Sequence, residues 1–295
     1  MRVRYRFIHA EKATYPLGLL CQVLKVSRKG YYAWLSRGEA TGRDHSALDK
    51  AIRKVHQENS RRCGTRRMVT DLAKVGIGVS RKTVRKRMAE LGLKVRYHRA
   101  FRVTTKSDVD ANFEPNRLNR NFHRNSPNEA WVGDITYVKT CSGFQYLATV
   151  IDLHSRMVVG WSMKPHMRSS LVEDALNMAL GRRETKPGLI FHSDRGSQYT
   201  SASFRQVCKD AGIIQSMSRK GNCWDNAVSE SFFATIDREL LCDGRSWTPE
   251  RSRLEVFTYI ETYYNRRRSH STLGYLSPSE FEVKSARLVD TALVA

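Results

Sequence analysis

The sequence predicts an α/β fold: a mixed five-stranded sheet with helices on both faces, preceded by an all-α region. Three observations carry this. Up to residue 94 the apolar residues recur at helical spacing. From Pro127 they change to β-branched and aromatic runs of strand length, separated by short turns. Further on, strand-like runs alternate with helical segments, as a sheet with parallel crossovers requires.

Composition limits what such a fold acts on. The 295 residues are 40% hydrophobic and 27% charged, ordinary for a globular chain and unlike a disordered one. The net charge of +22 is unevenly placed, with 30 Lys and Arg against 10 Asp and Glu in residues 1–126, and 21 against 19 thereafter. Clustered cations release counterions from a phosphate backbone, so the basic half is the candidate grip on nucleic acid; the alternative is a merely basic, solvated surface. Cys21, Cys63, Cys141, Cys208, Cys223 and Cys242 show no C-x-x-C spacing and support neither a zinc site nor a disulfide framework. The basic start Met-Arg-Val-Arg-Tyr-Arg has no apolar segment after it, and runs such as 146–151 are too short to span a bilayer. An intracellular, cytoplasmic and nucleoid-associated protein is expected.

In chain order, residues 1–43 form a first helical segment. It holds two apolar-periodic stretches, 17–26 and 31–35, around the turn-like Ser27-Arg28-Lys29-Gly30. This is either a helix-turn-helix fragment or a plain helical hairpin, with Tyr31, Tyr32 and Trp34 as its core. Residues 44–94 carry three helices. Leu48, Ile52 and Val55 follow Asp44 at helical spacing; a second helix runs from Thr65 through Met68 and Leu72 to Lys74; Gly76 and Gly78 make a turn. Ser80 is placed to cap a third helix that Gly92 closes. In it Val84, Met88 and Leu91 share one face, while Arg81, Lys82, Arg85, Lys86 and Arg87 cover the rest, the pattern of a helix entering the major groove. Residues 95–126, polar and with Pro115, read as a linker.

Strands are expected at 131–138, 145–152 and 157–163 as an antiparallel meander, then a helix at 169–181, a fourth strand at 188–193, a helix at 203–211, a fifth strand at 213–217 and a long helix from about 225 to 241. The order β-β-β-α-β-α-β-α over residues 127–245 is that of the ribonuclease H-like fold. A helical extension with a basic motif (246–284) and a tail (285–295) follow.

Three acids meet on this scheme. Period-2 alternation puts Val132, Asp134, Thr136 and Val138 on one face of the first strand, away from Trp131. Asp194 lies just past the fourth strand, beside the first, and Glu230 lies on the long helix, with 35 residues between these two acids. A lone carboxylate among apolar neighbours is costly, and three raise one another's pKa unless cations neutralise them. Divalent metal is the remedy: hard oxygen ligands suit Mg2+, with Mn2+ as a substitute, and two ions would activate an attacking oxygen and stabilise a leaving one. Taken singly each acid reads as a cap or surface residue, Asp194 in S-D-R-G above all. The set is far more specific.

The motifs W-V-G-D-I-T-Y-V, H-S-D-R-G-S-Q-Y, W-D-N-A-V-S-E-S-F-F-A-T-I and Y-Y-N-R-R-R-S-H-S-T-L-G-Y-L-S-P-S-E-F cover nearly all of residues 127–282. They resemble the catalytic second-frame protein of bacterial insertion sequences, in the DDE transposase and retroviral integrase superfamily. R-R-C-G-T-R-R-M and V-S-R-K-T-V-R-K-R-M resemble the family's upstream helix-turn-helix. The resemblance implies an integrase catalytic core whose metal-binding catalytic triad is Asp134, Asp194 and Glu230. It implies donor-strand cleavage at element ends, then attack of the freed 3′-hydroxyl on another phosphodiester, with no covalent protein intermediate.

It further implies that His192, Ser193, Gln198, Asn222 and Asn226 shape the site or touch DNA. Tyr264, Asn265, Arg268 and His270 match a C-terminal motif that holds DNA or packs back on the core. Arg66, Arg67, Arg81, Lys82, Arg85, Lys86, Arg238, Arg266, Arg267 and Arg268 are the expected DNA contacts. The partners implied are double-stranded DNA, as element ends and target, a homo-oligomer on that DNA, and an upstream-frame protein or fusion that supplies a leucine zipper and end recognition; no membrane is implied. Two positions depart from the pattern. Asp237 stands where the family has a basic residue, with Arg238 turned about 100° from it on a helix, and Cys63-Gly64-Thr65 replaces an aromatic-flanked glycine. Two other classes remain open on the residues: a DNA-binding regulator without catalysis, and a ribonuclease H-like nuclease on hybrids or junctions.

Overall fold

The computed structural model describes residues 2–36, 45–96, 113–219 and 223–294. Three helices come first, α1 (Arg2–Glu11), α2 (Leu17–Val23) and α3 (Arg28–Ser36). Helix α1 was not expected, because Val3, Tyr5 and Phe7 alternate with cations as in a strand; only Ile8 is fully buried, with Tyr5 stacked on Trp34. The expected turn at Arg28-Lys29-Gly30 is instead the first turn of α3. Ser27 Oγ accepts from Gly30 N at 3.0 Å there, as an N-cap does.

The next three helices are α4 (Ser46–Glu58), α5 (Thr65–Lys74) and α6 (Arg81–Glu90), packed on Ile52, Cys63, Met68, Leu72, Val84 and Met88. Their local signals work as expected. Ser80 Oγ accepts from Thr83 N at 3.1 Å, and Gly92, at φ +66°, lets the chain leave α6 in the left-handed conformation that glycine adopts without strain. Cys63 is a core residue of this unit, with no exposed surface. The Asp44 start expected for α4 lies outside the described residues, as do 97–112 of the expected linker.

The rest of that linker is not loose. Leu118 is buried, Arg117 N and Leu118 N both donate to Ser216 Oγ, at 2.9 and 3.2 Å, and Arg156 Nη2 donates to Phe122 O at 3.1 Å. Its polar composition hid these contacts, because the chain is held by hydrogen bonds and by Phe113, Leu118 and Phe122, scattered rather than in an apolar stripe.

The sheet comprises β1 (Ala130–Thr140), β2 (Gly143–Asp152), β3 (Val158–Lys164), β4 (Ile190–Ser193) and β5 (Ile214–Met217), in the order β3-β2-β1-β4-β5. The first three are an antiparallel meander; β4 pairs parallel to β1 and β5 parallel to β4. Helices α7 (Ser169–Arg182), α8 (Ser197–Thr200) and α9 (Ala202–Asp210) sit among these strands, and α10 (Ala227–Glu239) follows. Trp131, Ala148 and Val150 pack on α7 and α9 from one face. Ala130, Val132 and Leu147 meet Phe232 and Ile236 of α10 from the other. The fold is the expected α/β one, with a mixed sheet, helices on both faces and a helical region before it.

The C-terminal part is α11 (Pro249–Phe257), a π-helical turn at Thr258–Tyr264 and α12 (Pro278–Val294), which continues through residue 285, where a tail was expected. Helix α5 is docked on this part and on α10: Arg67 pairs with Glu239 at 3.0 Å, Lys74 with Glu280 at 2.9 Å, and Ser269 Oγ donates to Asp71 at 3.0 Å. No helix among the described residues is long and apolar enough to cross a membrane, and Cys21, Cys63, Cys141, Cys208 and Cys242 are free.

Candidate active site

The sheet brings the first two acids together. Strand β1 is paired to β4 only up to Val132, opposite His192, so Asp134 and Asp194 each lie two residues beyond that last pair, where the two strands part. Asp134 Oδ1 accepts from Ile135 N at 2.8 Å, and Asp194 Oδ1 accepts from Gly196 N at 3.0 Å. A Cβ at Gly196 would stand 3.0 Å from Asp194 Oδ1 and 2.9 Å from Gln198 Oε1, so a larger residue in this turn would press on both side chains. Glu230 is placed by the first turn of α10, whose Phe232 and Ile236 are locked into the core.

The electrostatics agree with a shared site. Burial raises the pKa of Asp134 well above the carboxylate range, the Asp194 charge raises it further, and Glu230 adds to it more weakly. Burial likewise raises Asp194 and Glu230. No Lys, Arg or His among the described residues pairs with any of the three. Tyr199, fully buried beside Phe191 and Phe204, has its hydroxyl pKa raised by burial and then by the charges of Asp134 and Asp194, so it lies within electrostatic reach of the same two carboxylates. Sequence reading missed it; Tyr199 is an unremarkable aromatic until the fold brings it within reach of the acids.

The donor set fits a hard divalent cation: oxygen only, crowded and uncompensated. Beside Glu230, Asn226 Oδ1 and Ser229 Oγ are buried without a hydrogen-bond partner. Among the described residues, however, no three His, Cys, Asp or Glu side chains lie close enough to close around one ion. The Asp134–Asp194 pair is assembled, and Glu230 stands at its margin.

The flanking residues divide. His192 is fully buried, its Nδ1 on Ser216 Oγ at 2.8 Å and its Nε2 on Ser218 Oγ at 3.1 Å, and burial lowers its pKa to about 4. It is a neutral strut between β4 and β5, not a group facing DNA. Ser193 Oγ donates to Asp194 O at 3.0 Å, and Gln198 Nε2 to Met167 O at 2.8 Å. Asn226 Nδ2 reaches Gly133 O at 3.5 Å, tying the start of α10 to the strand beside Asp134. Asn222 lies outside the described residues. The unexpected anchor is Asp225, fully buried and held well below the usual carboxylate range by Arg219, against the opposing effect of burial, and by Arg120. It accepts from Arg219 Nη2 and Arg120 Nε, both at 2.8 Å, and from Asn116 Nδ2 at 2.9 Å. Trp224 next to it is 69% exposed.

The cations expected at DNA also divide. Arg66, Arg81, Lys82, Arg85, Lys86, Arg238, Arg266 and Arg267 are exposed. Arg67 and Arg268 are turned inward instead, because Glu239, 7% exposed, draws both: Arg268 Nη2 lies 2.9 Å and Arg67 Nη2 3.0 Å from Glu239 Oε1. Tyr264, Asn265 and His270 likewise pack back on the core. Asn265 exchanges two 3.0 Å bonds with the Val158 backbone, and Tyr264 meets His270 edge to face.

Comparison with known proteins gives three family-level matches. Residues 124–223 and 211–278 each match an integrase core domain, and residues 43–101 an HTH-like domain. The 31 kDa protein of insertion element IS600 of Shigella sonnei is 41% identical over 90% of this chain and 98% of its own length. The transposase InsF for insertion sequence IS3A of Escherichia coli K12 is 38% identical over 96% of this chain and 99% of its own. Among solved structures, the HTLV-2 integrase catalytic core domain in complex with magnesium covers 53% of this chain and 97% of that one, at 18% identity and TM-score 0.41.

Proposed function

The chain belongs to the family of insertion-sequence transposases with an integrase core domain, and from that premise we propose that it cleaves and joins DNA strands at the ends of its element with Asp134, Asp194 and Glu230. The observation that carries the reading is the Asp134–Asp194 pair, two carboxylates held together at the parting of β1 and β4 with no Lys, Arg or His among the described residues paired to either. Such an arrangement is destabilising by itself and is expected at a functional site.

The three acids, with Asn226 and Ser229 beside them, are the groups that would hold Mg2+ or Mn2+, two ions at full occupancy. When bound, the metal supplies charge neutralisation and lowers the pKa of the attacking hydroxyl. Asp134 and Asp194 are fixed by Ile135 N and Gly196 N. Glu230 moves the remaining distance with the first turn of α10, and Asp225 limits that movement by tying the preceding turn to Arg219 and Arg120. The exposed Trp224 ring offers an unpaired base a stacking surface. Helix α6 binds duplex through Arg81, Lys82, Arg85 and Lys86, and two copies of the chain meet on DNA because two ends must be brought together.

Thermal unfolding in Mg2+ or Mn2+ tests the site without catalysis. Wild type gains stability by mass action, and Asp134→Asn does not. Cleavage and joining of labelled duplex carrying the ends that flank the gene test the reaction: Glu230→Gln keeps duplex binding and loses both steps. Joining that survives in Glu230→Gln sinks the assignment. A regulator without catalysis is the outcome if binding is intact and no metal stabilises the chain.

A further inference from the structure

On the side of α10 away from Glu230 lies a cleft of about 460 Å³ where three parts of the chain meet. Helix α5 contributes Arg66 and Arg67, the β2–β3 turn contributes Arg156, and the C-terminal motif contributes Arg268, Ser271 and Thr272. Val228, Ser231 and Thr235 of α10 form its floor, so Glu230 points roughly 130° round the helix from them at 3.6 residues per turn. No carboxylate lines the cleft. Arg67 and Arg268 share the one charge of Glu239 behind it, which leaves the four guanidinium groups with a large excess of positive charge.

Arg156 is the informative member. Its side chain is largely buried, which lowers its pKa; Tyr264 and the charge of Asp152 act the other way more weakly, and no ion pair reaches it among the described residues. Nη2 donates to Phe122 O at 3.1 Å, and Nη1 is buried with no hydrogen-bond partner among the described residues. Its backbone stands at φ +62°, the left-handed region that a non-glycine residue occupies at a cost of about 1–3 kcal/mol. A largely buried cation that makes no direct ion pair is destabilising. Such a residue, held in a strained turn at the edge of a cationic cleft, is accounted for by an anion that arrives from outside.

We propose that this cleft seats a phosphodiester group of DNA between Arg156 and Arg66, a nucleic-acid contact separate from the three acids. The guanidinium fork matches phosphate geometry, and the Ser271 and Thr272 hydroxyls add donors. The cleft's volume admits one nucleotide unit. The inference rests on the transposase reading only in taking DNA as the source of the phosphate. Seated there, one strand would bridge the helix-turn-helix unit and the catalytic domain, fixing the approach of the DNA to the other side of α10.

The test is anisotropy of labelled element-end duplex on the full chain in EDTA over a salt series. It does not depend on metal or cleavage, so failure of the catalytic reading leaves it untouched. Arg156→Met is expected to keep or raise Tm, to weaken duplex binding about tenfold, and to make the salt dependence shallower by about one phosphate contact. Arg66→Ala, at an exposed position, is expected to weaken binding in the same direction. If Arg156→Met lowers Tm while its salt slope equals wild type, Arg156 is structural and the proposal fails. If Arg156→Met does not fold, Arg66→Ala decides, and unchanged duplex affinity there overturns the site. Inorganic phosphate that stabilises wild type but not Arg156→Met, with equal duplex binding, would make this a small-anion site and equally reject the DNA assignment.

Discussion

Glu239 and Arg268 form a buried ion pair, with Arg268 Nη2 2.9 Å from Glu239 Oε1, at the end of the helix that begins beside Glu230. Arg67 joins it from α5, and Tyr259 Oη donates to Oε2 at 2.9 Å. One carboxylate thus ties the helix-turn-helix unit, α10 and the C-terminal motif. Burial opposes its ionisation, but the two arginines win and hold its pKa below the usual range. Glu239→Ala leaves Arg268 buried and unpaired, so a loss of about 3–5 kcal/mol is expected in chemical denaturation. A loss below about 1 kcal/mol would show that the pair is solvated and does not hold the units together.

Asp134→Asn removes one of two crowded carboxylates. The metal-free variant should therefore unfold at a higher temperature than wild type while losing cleavage, since the crowding is borne for function. A lower Tm in the variant would mean that the carboxylate serves the fold.

Asp225→Asn acts on Glu230 at a distance. It removes the charge that Arg219 and Arg120 bind and frees the turn at Cys223–Asn226 from which α10 starts. Misplacing a reacting group by an ångström costs up to about 100-fold, so single-turnover cleavage should fall by about 10–100-fold with duplex affinity nearly unchanged. Equal losses in binding and cleavage would assign Asp225 to DNA contact instead.

His270 makes stability depend on pH. Burial first, then the charge of Arg268, lowers its pKa to about 3, and its Nε2 takes a bond from Arg268 Nη1 at 3.2 Å, which requires the neutral ring. The unfolded histidine titrates near 6.5, so in the window between about 6.5 and 3 the unfolded state binds the extra proton. Its contribution is complete above about pH 6.5 and is lost as pH falls toward 3. Between pH 7.5 and 5, wild type should lose more stability than His270→Gln. Parallel losses in the two proteins would remove His270 from the account.

Arg85 on α6 tests duplex recognition. It is exposed while Val84 and Met88 are buried, so Arg85→Ala should leave stability within about 0.5 kcal/mol of wild type. The slope of log K against log salt should fall by about one. An unchanged slope would place the duplex on another face.

The sequence made much of this visible. Ser80, Gly92 and the Val84–Met88 stripe marked α6 because caps and helical periods are local signals. The strand order around Asp134 and Asp194 was legible because each strand carries its own alternation. Helix α1 was missed, since its apolar residues alternate like a strand's. The packed half of the linker was missed because its apolar contacts, Phe113, Leu118 and Phe122, follow no helical or strand period, and polar bonds to Ser216 and Asp225 hold the rest.

The sequence by itself determined the fold class and picked out three candidate acids and a basic helix, all of which depend on residue type at fixed spacing along one element. Only the tertiary structure decided which charges are free to act. Arg67 and Arg268 look like Arg66 and Arg267 in the sequence, yet Glu239, 172 and 29 residues away, draws the first pair inward. Arg156 gains meaning only where α5, a strand turn and the C-terminal motif enclose it. The role of a charge is set by its desolvation and by the sign of what the fold brings against it, and neither is carried by neighbours in the chain.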